Sequence, residues 1–143
     1  MAASYRKTLL RRVGNMLITP LTRLGLVGRR THILTVSGRK SGRRYSTPVQ
    51  LVFANGRRYL VAPYGERQWV KNARAAGEVE LGRARRTSRY RIEELGPEEA
   101  APILQEYLRT TRIVKPYFDV DAAAPLEAFI AEARSHPVFR LHE

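Results

Sequence analysis

The run Ser37-Gly38-Arg39-Lys40-Ser41-Gly42-Arg43-Arg44 is the first place where residue types and spacing could do chemistry. Two glycines let the backbone turn tightly and aim several N–H groups at one point. Arg39 and Lys40 add positive charge and Ser41 adds a hydroxyl, so the loop could hold a phosphate. A solvated basic turn accounts for the same residues. A second cluster is Ala62-Pro63-Tyr64-Gly65, followed by Trp69, Lys71 and Asn72. Trp69, the only tryptophan, could stack on a ring system, with Asn72 one helical turn later hydrogen-bonding to it. Its other role would be to plug one end of the fold.

Other chemistries are poorly served. His32, His136 and His142 have no metal-ligand spacing, so no metal site is expected and each is assigned to the surface or to packing. Before residue 92 the only carboxylates are Glu66, Glu78 and Glu80, and the last two suit the solvent face of a strand. Ser37, Ser41 and Ser46 lack both a Ser/His/Asp arrangement and a Gly-x-Ser-x-Gly elbow. The absence of cysteine removes thiol nucleophiles, disulfides and thiolate zinc sites. An enzyme built from these residues would take its chemistry from a bound cofactor.

The elements that must position these groups follow from periodicity. Thr31–Ser37 is short and β-branched and reads as a strand. Arg44–Ala54 reads as a second, with Pro48 implying an edge, a bulge or an irregular start. Asn55-Gly56 is a hairpin turn leading into a third strand over Arg57–Pro63. A short helix over Gln68–Ala76 is stopped by Gly77. Two more strands, Glu78–Leu81 and Thr87–Leu95, are expected to join through a tight turn at Gly82 and Arg83. Pro97 and Glu98-Glu99 open a helix that runs to Thr110. After an irregular stretch from Arg112 to Asp121, a helix over Ala123–Arg134 and a strand over Pro137–Leu141 complete the reading. Short strands with hairpin signals predict an α+β protein built on a small, mostly antiparallel barrel with flanking helices. No strand–Gly-x-Gly-x-x-Gly–helix unit or Gly-x-x-x-x-Gly-Lys-Ser/Thr loop is present, which argues against a parallel nucleotide-binding sheet.

Charge narrows the partner. The 143 residues carry 26 Lys+Arg and 13 Asp+Glu, a net charge of +13. Residues 1–91 hold 21 basic and 3 acidic residues (net +18), whereas residues 92–143 hold 5 and 10 (net −5). An anionic partner is implied: a polyanionic small molecule, a nucleic acid or a membrane surface. Within residues 1–24, Leu9, Leu10, Val13, Met16, Leu17 and Leu21 recur at helical spacing among arginines, predicting a basic amphipathic helix ahead of a domain spanning residues 25–143. That helix packs on the domain in one reading and lies on an anionic membrane in the other. A cytoplasmic protein is expected, at the inner face of the membrane if the second reading holds.

Taken in order, these pieces resemble the deazaflavin-dependent nitroreductase family, split-barrel oxidoreductases that use coenzyme F-420. The matching runs are Leu34-Thr35-Val36-Ser37-Gly38-Arg39-Lys40-Ser41-Gly42-Arg43, Ser46-Thr47-Pro48-Val49, the Asn55-Gly56 hairpin, Val61-Ala62-Pro63-Tyr64-Gly65 and Trp69 to Gly77. The resemblance covers about residues 25–95. It implies a split β-barrel of the pyridoxamine-phosphate-oxidase-like type. It also implies that Arg39, Lys40 and Ser41, helped by Arg43, hold the phosphate and oligoglutamate tail of the cofactor. Thr47 and Pro48 would lie along the deazaflavin, with Ala62, Tyr64 and Gly65 against the ring and Trp69 and Asn72 beside it.

Two departures stand out. Many relatives carry a basic residue where Tyr45 stands, so Arg44 would take over phosphate contacts. Residues 110–128 do not match the family ending, and Tyr117 and Phe118 are assigned to packing ahead of covering the ring. The implied activity is hydride transfer from the reduced cofactor to a small electron-poor acceptor such as a quinone or nitroaromatic, with Tyr64 or solvent as proton source. FMN is the second choice of cofactor. The rival readings are a non-catalytic basic module for nucleic acid, which no recognised motif supports, and a barrel that binds a lipid or flavin at a membrane. The oligomeric state is not legible from these residues.

Overall fold

The computed structural model describes residues 31–143. The amphipathic helix expected within residues 1–24, and the domain boundary at 25, lie outside the described residues. Six strands follow in chain order: β1 Thr31–Ser37, β2 Arg44–Ala54, β3 Arg57–Val61, β4 Glu78–Arg83, β5 Arg86–Glu94 and β6 Val138–His142. They close a barrel in the order β1-β2-β3-β6-β5-β4, with every neighbouring pair antiparallel. Among the described residues three α-helices accompany them: α1 Gln68–Ala76, α2 Pro97–Thr110 and α3 Leu126–Glu132. A 3-10 helix occupies Arg112–Tyr117. The α+β split-barrel architecture expected from the sequence is the one observed.

Period-two alternation sorts side chains between two apolar layers. Leu34, Leu51, Leu60 and Phe139 fill the barrel, and Val70 and Ala73 of α1 join them. Val52, Tyr59, Val61 and Val138 point outward and are covered by α2, α3 and Phe118. Each fully buried Leu, Val or Phe stabilises the fold by roughly 1.5–3 kcal/mol. The outer layer therefore contributes on the same scale as the barrel interior.

The hairpins show where local chemistry decides and where register overrides it. Asn55 and Gly56 both have positive φ (53° and 72°), the conformation a two-residue turn needs. The β4–β5 turn does not sit at Gly82 and Arg83 as expected. Gly82 lies inside β4, opposite Thr87 on one side and Ile33 on the other. The turn instead falls on Ala84 and Arg85, with φ of 52° and 64°. Left-handed backbone costs a non-glycine residue roughly 1–2 kcal/mol. Here the six-pair ladder from Glu78–Arg91 to Arg83–Arg86 offsets it. Pro48 occupies the half of β2 that pairs with β1 alone, before Leu51 begins the ladder with β3. A missing N–H is tolerated in such a one-sided stretch.

Helix ends follow their caps. Gly77 ends α1 in the left-handed conformation (φ 75°), its N–H donating to the Ala73 carbonyl at 2.8 Å. Pro97 and the acidic pair Glu98-Glu99 open α2, as expected. The α3 helix is shorter than periodicity suggests, because the Asp121 carboxylate accepts the Ala123 N–H at 2.9 Å in a preceding turn and Pro125 then caps the start at Leu126.

Candidate cofactor site

The chain leaves β1 at Ser37 and re-enters the sheet at Arg44, so the basic run Gly38–Arg43 is the β1–β2 connection. Its base is closed by Gly38 N–H to the Arg43 carbonyl (2.7 Å) and Gly42 N–H to the Gly38 carbonyl (2.9 Å). Gly38 is required by close approach: a Cβ there would stand 2.8 Å from the Tyr45 ring and 3.0 Å from the Ser41 hydroxyl. The Ser41 oxygen accepts the Arg43 N–H at 3.2 Å, leaving its own proton available to donate.

Helix α1 lies against this loop, and Asn72 joins the two. Asn72 is 5% exposed, and its Oδ1 accepts the Arg39 backbone N–H at 3.0 Å and the Arg39 guanidinium at 2.8 Å. The same guanidinium nitrogen donates to Gln68 Oε1 at 2.9 Å. Arg39, Lys40 and Ser41 thus form one wall of a cleft of about 340 Å³, while Gln68, Trp69 and Asn72 form the other and Tyr45 lines it from β2. Trp69 plugs the barrel and lines the cleft. Its ring packs on the barrel interior, 6.3 Å from the Phe139 centroid, and also faces the cleft.

The cleft is cationic because the nearby acids are occupied elsewhere. Glu80 pairs with Arg44 (3.1 Å), Glu66 and Glu94 both pair with Arg74 (2.7 Å each), and Glu78 lies 3.8 Å from Arg89. Among the described residues no carboxylate pairs with Arg39, and the side chains of Lys40 and Arg43 make no hydrogen bond or ion pair. Such an uncompensated donor cluster attracts anions.

The other residues singled out from the sequence are placed differently. Arg44 turns to the opposite face of β2 from Tyr45, where it meets Glu80 and the Ser37 hydroxyl at 3.4 Å. Thr47 shares the inward parity of Val49 and Leu51, whereas Pro48 stands opposite Ile33 on the outward parity. Ala62 is fully buried at the exit of β3. There Ala62-Pro63-Tyr64-Gly65 forms a tight turn closed by Gly65 N–H to the Ala62 carbonyl at 3.3 Å, with Gly65 at φ 84°. The Tyr64 ring meets Tyr117 edge-on, centroids 4.7 Å apart, and Phe118 is buried beneath the helices.

Two contributors to the cleft escaped the sequence reading. Tyr45 figured only as a missing cation, yet it lines the cleft. Gln68 carried a signal in its spacing of four from Asn72 on one helix face. His136, assigned to the surface or to packing, is buried behind the Tyr64 turn. Among the described residues no group of His, Asp and Glu is placed to hold a metal ion, and no helix is long and apolar enough to cross a membrane.

A closed antiparallel six-strand barrel with a basic β1–β2 loop facing a tryptophan-bearing helix defines a split-barrel protein. The family model described as F420H(2)-dependent quinone reductase matches residues 2–123, and the chain belongs to that family. It is accordingly an enzyme, a deazaflavin-dependent reductase. Solved structures agree on the fold. One described as a domain-swapped dimer is 19% identical, with a TM-score of 0.57, covering 93% of this chain and 96% of that one. The F420-H2 dependent reductase FDR-A is 22% identical, with a TM-score of 0.55, covering 81% and 96%. A FAD-binding protein from Mesorhizobium loti is 16% identical, with a TM-score of 0.51, covering 88% and 86%. No curated protein sequence matches the chain.

Proposed function

We propose that the β1–β2 loop and α1 hold the reduced deazaflavin coenzyme F-420 and that the chain passes a hydride from it to a small electron-poor acceptor. The observation that carries this reading is the cleft itself, where Arg39, Lys40 and the Ser41 hydroxyl are unpaired by any acid among the described residues and stand beside an aromatic wall of Trp69 and Tyr45. That donor set fits a ligand with a phosphodiester and several carboxylates at one end and a flat ring at the other.

Arg39, Lys40 and Ser41 bind the anionic portion, with Arg43 at the loop's exposed shoulder. Arg44, engaged by Glu80, contributes to the field of the loop and orders its C-terminal end. Asn72 acts through Arg39, fixing both its backbone and its guanidinium, and Trp69 excludes water from one side of the ring. Thr47, on the inward parity of β2, and Gly65, on the turn after β3, lie along the ring, whereas Pro48 and the fully buried Ala62 shape the backbone behind them. Tyr64, on the turn after β3, orients the acceptor, and the proton comes from its hydroxyl or from solvent. The chemistry supplied by the bound coenzyme is hydride donation to a quinone or nitroaromatic. The chain's own contribution is orientation and a dry surface, which agrees with the lack of any His–carboxylate constellation at the cleft.

Titration of the purified protein with oxidised coenzyme F-420 and, separately, with FMN tests the reading. Micromolar or tighter deazaflavin binding that weakens at least tenfold in Arg39→Ala/Lys40→Ala is expected, together with acceptor-dependent oxidation of the reduced coenzyme. Absence of deazaflavin binding, or preference for FMN, would overturn it.

A further inference from the structure

The buried imidazole of His136 has no part in the cleft just described, but it sits directly behind the turn that presents Tyr64. Residue 136 is 5% exposed and lies on the segment between α3 and β6. The Phe118 ring stacks on it face to face, with centroids 3.9 Å apart and an interplanar angle of 12°. Its Nε2 lies 3.7 Å from Glu132 Oε1, on a carboxylate that is itself 7% exposed and accepts the Asp119 N–H at 2.8 Å. Its Nδ1 is buried without a hydrogen-bond partner. The carbonyls of Ala62 and Pro63 face the ring from the β3 exit, and the Asp119 carboxylate contributes from farther away.

Ala62 makes this arrangement consequential. Its carbonyl accepts the Gly65 N–H that closes the Ala62–Gly65 turn, at a long 3.3 Å. Its N–H donates to the Pro137 carbonyl at 2.9 Å, in the residue next to His136. The Ser135 carbonyl packs so close to Gly65 that a Cβ there would stand 3.3 Å away. Both ends of the turn therefore rest on residues 135–137.

We propose that His136 is the positioning residue of the Tyr64 turn and that its protonation state resets that turn. A neutral imidazole has one N–H and can serve either Glu132 or the β3-exit carbonyls, whereas an imidazolium donates to both sides at once. Protonation thus draws the Ala62 carbonyl away from Gly65 N–H and tightens the Glu132 side. Five contributions bear on the proton. Burial opposes the charge and dominates, while Glu132, the two carbonyls and Asp119 favour it, so the imidazole is held below its ordinary value and is neutral near pH 7. The Phe118 face accommodates either form. As regards the acceptor, the proposal rests on the assignment of Tyr64 above.

Two measurements separate its failure from failure of the proposed function. In the coenzyme-free protein, NMR titration from pH 7.5 to 5 should show the Gly65 amide and the Tyr64 ring shifting with the same midpoint as the His136 ring. Titration of His136 with no response at residues 64 and 65 would overturn the proposal whether or not coenzyme binds. In steady-state assays the acceptor's kcat/KM should fall several-fold on the acid side in the native protein. That limb should be lost in His136→Phe and in His136→Gln, which differ in packing but share the loss of the titrating group. Coenzyme affinity should stay within twofold. An acid limb identical in the native protein and whichever variant folds would also overturn it.

Discussion

Asn72 Oδ1 receives two hydrogen bonds from Arg39, one from the backbone and one from the guanidinium, so a single helix residue sets both the shape and the charge placement of the β1–β2 loop. This cross-link spans two elements that the barrel does not otherwise tie together by a strand ladder. It makes the loop's preparedness for an anion a property of α1.

Replacing Asn72 by Ala should therefore damage two things at once. A partly buried Arg39 N–H loses its acceptor, at a cost of about 1–3 kcal/mol in stability. Coenzyme affinity should fall as well. Asn72→Asp keeps the acceptor but neutralises Arg39, so denaturation should show stability close to native while calorimetry shows weaker deazaflavin binding. Equal stability loss in both variants would contradict this account.

Lys40 and Arg43 are the loop cations with no side-chain partner among the described residues. Losing a hydrogen bond to a charged group removes about 1.5–3 kcal/mol, so Lys40→Ala/Arg43→Ala should weaken coenzyme binding at least tenfold with little change in Tm. The native affinity should fall between 0.05 and 0.5 M salt, and the double variant should lose most of that dependence, read by fluorescence titration.

Arg74 binds Glu94 through two nitrogens at 2.8 and 2.7 Å and Glu66 at 2.7 Å, tying α1 to β5 and to the loop ahead of the helix. These bonds, the one to Glu94 foremost, raise its already high pKa, so its charge is permanent over any accessible pH. Half-exposed networks of this kind contribute about 1 kcal/mol or less. Arg74→Met should lower Tm by only a few degrees and reduce coenzyme affinity through looser seating of Trp69 and Asn72. Hydrogen exchange in residues 68–76 should report that loosening directly.

Acid should destabilise the fold through His136. Burial, the largest influence, holds its folded pKa below the ordinary 6.5, with Glu132 and the Ala62 and Pro63 carbonyls opposing. As pH falls the unfolded chain takes up the proton first, so this stability is complete above about pH 6.5 and is lost as pH drops through the folded value. Urea midpoints at pH 7.5 and 5.5 should differ more for the native protein than for His136→Phe.

Much of this molecule is legible in its residues. Asn55-Gly56, the β-branched run of β1, Gly77 and Pro97 each state their role locally, and the structure agrees with all four. The β4–β5 turn was misread because Gly82 resembles a turn residue, while pairing on both flanks keeps it in the strand. Trp69 and the basic loop share a cleft, which order in the chain suggested and geometry supplied. Tyr45 and His136 were harder. The first was compared with an absent cation instead of being considered as a ring, and the second has neighbours, Phe118 and Ala62, drawn from distant parts of the chain. Of its neighbours only Glu132, four residues earlier, is local in the sequence.

Strand β6 follows the other five described strands in the chain, yet it lies between β3 and β5 and pairs with both. Until Val138–His142 leaves the ribosome, those two strands expose unpaired edges, and the nascent chain is an open sheet inclined to stick to others. Joining β3 to β6 also closes a loop from residue 61 to residue 138, so folding of this enzyme should be slow for its size.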